Sequence, residues 1–142
     1  MFTFVPSADM KISLPPDQAE MLSTRETIRE IIRRNPDTVM AFDICEENAP
    51  IGFVLVHRFE ARKYFLWEYA IDEAHQNQHK GTRALTAFIG YMKTRHDAEE
   101  ITTTYIWGND HAKHVYEKVG FVETDVVDEP GCHEVNMAYA VR

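Results

Sequence analysis

Long apolar runs are missing from this chain. No stretch of 18 or more apolar residues occurs in its 142 residues, so no segment reads as a membrane-crossing helix. The opening Met1-Phe2-Thr3-Phe4-Val5-Pro6 lacks the charged-then-apolar order of a secretion signal. The expectation is a soluble, cytoplasmic protein with no membrane partner. Cysteine is scarce as well: Cys45 and Cys132 stand far apart and outside any CxxC pattern. They are too few for a metal cluster of their own, and reduced thiols are expected. Positive charge is thin, with 15 Lys and Arg against 23 Asp and Glu, a formal charge of −8. A nucleic-acid surface needs clustered cations to displace counterions, so no nucleic-acid partner is expected. The same imbalance fits two readings, a solvated acidic surface or attraction of a cationic substrate. Repeats and low-complexity segments are absent too.

What the chain does contain is 44% hydrophobic residues, enough for one core and a single domain over residues 1–142. Ser23-Thr24-Arg25-Glu26 reads as a capping box, with Ser23 as the cap of a helix running to about Arg34. Asn35-Pro36-Asp37 stops it. Residues 38–44 and 51–59 are rich in strand formers and flank a polar hairpin connection, and residues 64–71 continue the sheet. A turn at 76–81 opens an amphipathic helix over 82–92. Further strands are expected at 100–107, 121–127 and 133–141, with a helix from Asn109 to a C-cap at Gly120. Strands alternating with helices after a meander predict an α/β fold, a mixed sheet with helices on its faces.

The turn Gln76-Asn77-Gln78-His79-Lys80-Gly81 carries the chemistry. A strand feeding a helix leaves the first N–H groups without helical partners, and the helix end adds about half a positive charge. That combination seats a pyrophosphate. Downstream, at the distance of one more strand and helix, stands Asn109-Asp110-His111-Ala112-Lys113-His114-Val115-Tyr116-Glu117-Lys118-Val119-Gly120-Phe121.

Together these segments resemble the GNAT superfamily of N-acetyltransferases, which binds acetyl-CoA at a Gln/Arg-x-x-Gly-x-Gly/Ala turn and carries an Asn…Tyr-x-x-x-Gly-Phe stretch afterwards. Gln76 takes the first motif position and Gly81 the last, whereas His79 departs from the usual first glycine. The flanking residues 67–73 and 81–85, and His133-Glu134-Val135-Asn136-Met137, are most similar to the bacterial spermine/spermidine branch. The similarity runs from about Lys11 to the C-terminus. It implies the GNAT acyl-CoA N-acyltransferase fold, here with a shortened N-terminal strand and helix region in residues 1–22. It also implies acetyl-CoA as co-substrate, with Ile71 and Glu73 meeting the pantetheine arm through their backbone. Gln76, Asn77, Gln78, His79, Lys80, Gly81 and Thr82 would offer N–H groups to the pyrophosphate. Asn109 would cap its helix and meet the pantetheine, and Tyr116 would protonate the departing thiolate. Core packing for Tyr116, and capping alone for Asn109, are the plainer uses of the same residues. The His79 and Lys80 side chains either assist the phosphates or stand in solvent.

For the acceptor, Glu68 and Asp72 lie four apart on the predicted strand and hence on one face. Glu68 is the candidate base or electrostatic anchor, Asp72 a second carboxylate, and both could equally be solvated acids. Trp67 and Tyr69, expected to alternate with them, are candidates to stack on a cationic amine or to fill the core. No metal is expected: His111 and His114 lack a completing ligand set. The resulting reading is direct transfer of acetyl to a primary amine of a small cationic acceptor, a polyamine such as spermidine or spermine. Two others compete, a degenerate acetyl-CoA or CoA binder with a regulatory or interaction role, and an acetyltransferase for a peptide or protein amine. The shortened N-terminus leaves a sheet edge in question, and a homodimer is expected to cover it.

Overall fold

Seven strands join in one sheet in a computed structural model that describes residues 1–20 and 22–142. They are β1 (Phe2–Pro6), β2 (Val39–Glu46), β3 (Ala49–Glu60), β4 (Lys63–Ile71), β5 (Glu100–Ile106), β6 (Val122–Glu129) and β7 (Cys132–Ala140). Their spatial order is β1-β2-β3-β4-β5-β7-β6. Every neighbouring pair is antiparallel except β4 and β5, which run parallel. Helices α1 (Pro16–Ala19) and α2 (Arg25–Arg34) lie between β1 and β2, α3 (Lys80–His96) between β4 and β5, and α4 (Asp110–Val119) between β5 and β6.

A parallel pair needs a long crossover, and α3 supplies it. Its buried residues Ala84, Leu85, Phe88, Ile89 and Met92 recur at helical spacing and meet Val54, Val56, Leu66 and Ile101 of the sheet in the main core cluster. The opposite face of β2 and β3 buries Ala41, Phe53 and Leu55 against Ile12 and Ile28. Ile28 is fully buried on α2, a contribution of about 1.5–3 kcal/mol for a side chain of that size. The sheet is thus covered on both faces along its first half.

Local signals set most of the boundaries. The β2–β3 hairpin turns on Glu47 and Asn48, both with positive φ (53° and 69°), the conformation that matches strand twist in a two-residue turn. Asn35 ends α2 and Asn109 caps α4, its side chain accepting from the Ala112 N–H at 3.2 Å. The cap of α2 needs correction: Thr24, not Ser23, accepts from the Thr27 N–H at 3.1 Å. Ser23 turns its N–H to the Glu68 carboxylate instead, so the capping-box frame slips by one residue. Helix α3 begins two residues earlier than the apolar pattern suggested, at Lys80, and runs on to His96.

The N-terminal region holds a five-residue strand and a one-turn helix. Strand β1 pairs with β2 from Phe2 opposite Glu46 to Pro6 opposite Phe42, so the chain itself covers the β2 edge. The outer strands are β1 and β6.

Gly52, opposite Ile71 where β3 meets the end of β4, is required by close approach. A Cβ there would sit 2.8 Å from the Ala70 carbonyl oxygen and 3.0 and 3.1 Å from the Ile71 and Ile44 side chains. Backbone oxygen cannot rotate away as a side-chain tip can. Gly52→Ala is expected to cost about 1–3 kcal/mol, read as a lower midpoint of urea unfolding; an unchanged midpoint would show that β3 and β4 separate freely here.

Candidate active site

Strands β4 and β5 pair over four residues only, from Lys63 opposite Glu100 to Leu66 opposite Thr103. Beyond that point β4 stays joined to β3 and β5 to β7, but not to each other. The break coincides with a bulge. Leu55 faces Glu68 while Val56 faces Leu66, so Trp67 is an extra residue with no opposite number. One added residue reverses the alternation of faces. Tyr64 and Leu66 belong to the main core cluster, and beyond the bulge Tyr69 and Ile71 pack there too. Ala70 packs instead with the cluster on the other face. Glu68 lies beside Leu55 of that same cluster. The simple alternation read from the sequence, Trp67 and Tyr69 together against Glu68, is therefore corrected. Trp67 is 40% exposed with its ring 6.3 Å from that of His57, whereas Tyr69 turns inward and its hydroxyl donates to the Gly81 carbonyl at 2.6 Å.

A cavity of about 300 Å³ opens where the strands part. Strand residues Trp67 to Ile71 and Thr104 to Ile106 line it, with Gln76 and Gly81, with Asn109, His111 and Tyr116, and with Asp17 and Gln18 from α1. It therefore gathers Trp67, Glu68, Tyr69, Ile71, Gln76, Gly81, Asn109 and Tyr116 of the residues singled out in the sequence. Glu73 is not brought in, its N–H donating to the Ser13 carbonyl at 2.8 Å, and neither is Asp72. Asp72 follows the end of β4, and its two carboxylate oxygens accept from the Ser13 N–H at 2.8 Å and the Ala74 N–H at 3.0 Å. Its charge closes the turn at Glu73–His75.

At the start of α3, the first N–H to find a backbone acceptor is that of Arg83, which donates to the His79 carbonyl at 3.2 Å. The preceding N–H groups of Lys80, Gly81 and Thr82 form the open end of the helix. The turn leading in is left-handed at Asn77 (φ 62°) and again at His79 (φ 60°). This gives His79 the conformation that a glycine would favour at that motif position. Its side chain is exposed and caps nothing. Asn77 and Gln78 are exposed as well, and Thr82 is half-buried. The Lys80 side chain turns away to Glu46, 2.7 Å off, and to the His75 ring at 3.1 Å. That pairing holds Glu46 below the usual carboxylate range. Gln76 is fixed from two sides: its amide donates to the Ile71 carbonyl at 2.9 Å and exchanges two hydrogen bonds with Gln18, at 2.8 and 3.1 Å.

Three phenols line the cavity. Burial raises the Tyr69 hydroxyl far above its ordinary value, with the neighbouring Tyr116 adding to the shift, and its proton is held by Gly81. Burial and the carboxylate of Glu123 push Tyr105 up to about 12; its hydroxyl donates to Glu123 at 2.9 Å. Tyr116 is 9% exposed. Burial raises it, and contact with the Thr103 hydroxyl pulls the other way. Thr103 itself donates to the Leu66 carbonyl at 3.1 Å. Tyr116 thus stays protonated at neutral pH without a carboxylate or carbonyl holding its proton among the described residues. Glu68 is 7% exposed; Oε1 accepts from the Ser23 N–H at 2.8 Å, and Oε2 has no partner among the described residues.

Sequence reasoning missed Asp17, Gln18, Thr104, Tyr105 and His111 as cavity residues. The proline-rich stretch before α1 shows no periodicity that would point across to β4. His111 had been considered only as a metal ligand, yet no group of three His, Cys, Asp or Glu among the described residues is arranged to hold a metal. Nor is any helix among them long and apolar enough to cross a membrane.

Residues 8–121 match the Acetyltransferase (GNAT) family. No curated protein matches the sequence. Among solved structures, spermidine N-acetyltransferase from Vibrio cholerae in complex with CoA and spermine superposes with a TM-score of 0.71 at 14% identity, covering 98% of this chain and 95% of that one. Ard1 from Thermoplasma volcanium gives 0.73 at 18% identity over 99% and 98%. A GNAT family acetyltransferase from Elizabethkingia anophelis with acetyl-CoA bound gives 0.69 at 18% over 98% and 97%.

The left-handed backbone at His79 carries a cost of about 1 kcal/mol for a residue with a Cβ. His79→Gly is expected to raise the thermal midpoint by a few degrees, less whatever the added freedom of the unfolded chain takes back. A lowered midpoint by calorimetry would show that the turn owes its shape to the imidazole.

Proposed function

The chain belongs to the acetyltransferase (GNAT) family, and we propose that residues 1–142 form a single N-acetyltransferase domain acting on a primary amine of a small cationic acceptor, with polyamines such as spermidine or spermine as the favoured class. Acetyl-CoA is the co-substrate. The observation that carries this reading is the convergence of an open helix start, a protonated phenol and a buried carboxylate on one cavity between parted strands.

In the proposed reaction, the pyrophosphate sits at the N–H groups that open α3, where helix end and ligand charge are complementary. The pantetheine arm lies along β4 toward Ile71, and the thioester reaches Tyr116. The amine arrives as an ammonium and gives up a proton to Glu68, directly or through water, before it can attack. Its nitrogen adds to the thioester carbonyl carbon, the carbon–sulfur bond breaks, and the nitrogen's second proton leaves. The thiolate takes its proton from Tyr116, which is restored from solvent. The balance is one ammonium and acetyl-CoA in, one amide, CoA thiol and one proton out. Tyr116 suits the acid role better than the other two phenols because Tyr69 and Tyr105 already donate to Gly81 and Glu123.

The Vibrio cholerae neighbour binds spermine, which supports a polyamine by analogy of fold; Ard1 shares that fold. The acidic balance of the chain adds support for a cationic acceptor. A cytoplasmic location is proposed with it. The homodimer is likewise proposed, and with β2 closed by β1 its seats are the outer strands β1 and β6.

A thiol-release assay with acetyl-CoA against spermidine, spermine, aminoglycosides, amino acids and short peptides tests the reading. Release with spermidine or spermine is expected; release with peptides alone would replace the acceptor class. Tyr116→Phe is expected to lower kcat on the order of 10- to 1000-fold with little change in acetyl-CoA affinity by titration calorimetry. An unchanged kcat where chemistry limits the rate would return Tyr116 to core packing.

A further inference from the structure

Among the described residues, the lining of the cavity contains two carboxylates, Asp17 and Glu68, and neither lysine nor arginine. They differ in depth. Glu68 is more than nine-tenths buried, and its Oε2 lacks a hydrogen-bond partner among the described residues. A buried carboxylate oxygen left unmatched is costly unless a cation or donor completes it. Asp17 is exposed at the rim, on the one-turn helix α1, and no basic group pairs with it among the described residues. It contrasts with Asp72, whose oxygens are consumed by backbone N–H groups, and with Asp43, which is paired with Lys11.

Asp17 is also held in place. Pro16 fixes the start of α1. Gln18, next in sequence, exchanges two hydrogen bonds with Gln76, whose amide also donates to the Ile71 carbonyl. The rim carboxylate is thereby tied to the end of β4, the strand that carries Glu68.

We propose that Asp17 and Glu68 form a two-carboxylate acceptor site, in which Glu68 meets the reacting amine and Asp17 reads a second positive charge further along the acceptor. The inference rests on the acetyl-transfer reading and sharpens it. The selected substrate is a linear aliphatic amine with at least two ammonium groups. Two carboxylates with no lysine or arginine beside them in the described lining favour a dication over a monocation. They disfavour acceptors that carry a carboxylate beside the amine, such as free amino acids.

The test uses the full chain with acetyl-CoA and two acceptors of equal carbon length, a linear diaminoalkane and the corresponding monoaminoalkane. The wild type is expected to prefer the diamine in kcat/KM. Asp17→Asn is expected to lower the diamine-to-monoamine ratio by about tenfold, through the KM of the diamine rather than kcat. Asp17→Glu should restore most of the ratio, and added salt should erode it in the wild type. A merely structural role for Asp17, as an acid in the first turn of α1, would lower the thermal midpoint in Asp17→Asn and leave the ratio as it was. That outcome overturns the proposal, as does a wild type indifferent to the second charge. Failure of acetyl transfer to every amine would instead overturn the acetyl-transfer reading, and this inference with it.

Discussion

Everything that distinguishes this molecule from an ordinary covered sheet depends on the parting of β4 and β5 after Leu66 and Thr103. Two parallel strands would otherwise continue their ladder. Here one inserted residue, Trp67, bends β4 and reverses its faces at the last paired position. The reversal explains how Glu68 comes to lie beside Leu55 while Tyr69 and Ile71 stay with the core under α3. An unbroken strand would still divide the two groups, but onto the opposite faces, with Glu68 following Tyr64 and Leu66 into the core under α3. The bulge is therefore what sets a carboxylate and a phenol-bearing core on the margins of one cavity.

Parted strands leave backbone N–H and C=O groups without the partners a sheet supplies, and these must be matched by water or by a ligand. An extended ligand rich in amides would complete both the ladder and the open helix end beyond it. The turn at 76–82 shows what it takes to aim that helix: left-handed backbone at Asn77 and His79, neither of them glycine, stabilised by neighbours rather than by propensity. Gln76 is pinned to Ile71 and Gln18, Tyr69 reaches Gly81, and Lys80 is anchored to Glu46. Several weak local preferences are overruled by hydrogen bonds between elements far apart in sequence.

This division between local and long-range causes also decides what could be read in advance. The end of α2 at Asn35, the β2–β3 hairpin, the Asn109 cap and the strand order of elements along the chain follow from signals within a few residues, and the sequence carries them. The turn that opens α3 was legible because its residues are contiguous. The bulge was not: period-two alternation is an average, and only the register against β3 reveals the extra residue. Asp17 and Gln18 were invisible for a similar reason, since their importance lies in a contact with Gln76, 58 residues away from Gln18. The Ser23 cap failed because its N–H is drawn to Glu68, 45 residues on, leaving Thr24 to cap.

In the proposed reading the acceptor side has a different physical character from the donor side. At the donor side, charge complementarity comes from main-chain groups at a helix end, which any sequence can supply if the turn is formed. Residue identity there matters chiefly through backbone conformation, as at His79. On the proposed acceptor side the field comes from side chains, Glu68 within β4 and Asp17 on α1. Asp17 sits on a helix of four residues tied to the end of β4 through the Gln18–Gln76 amide pair. In that reading donor binding rests on main-chain groups at the start of α3, while acceptor choice is divided between a buried strand residue, Glu68, and an exposed helix residue, Asp17.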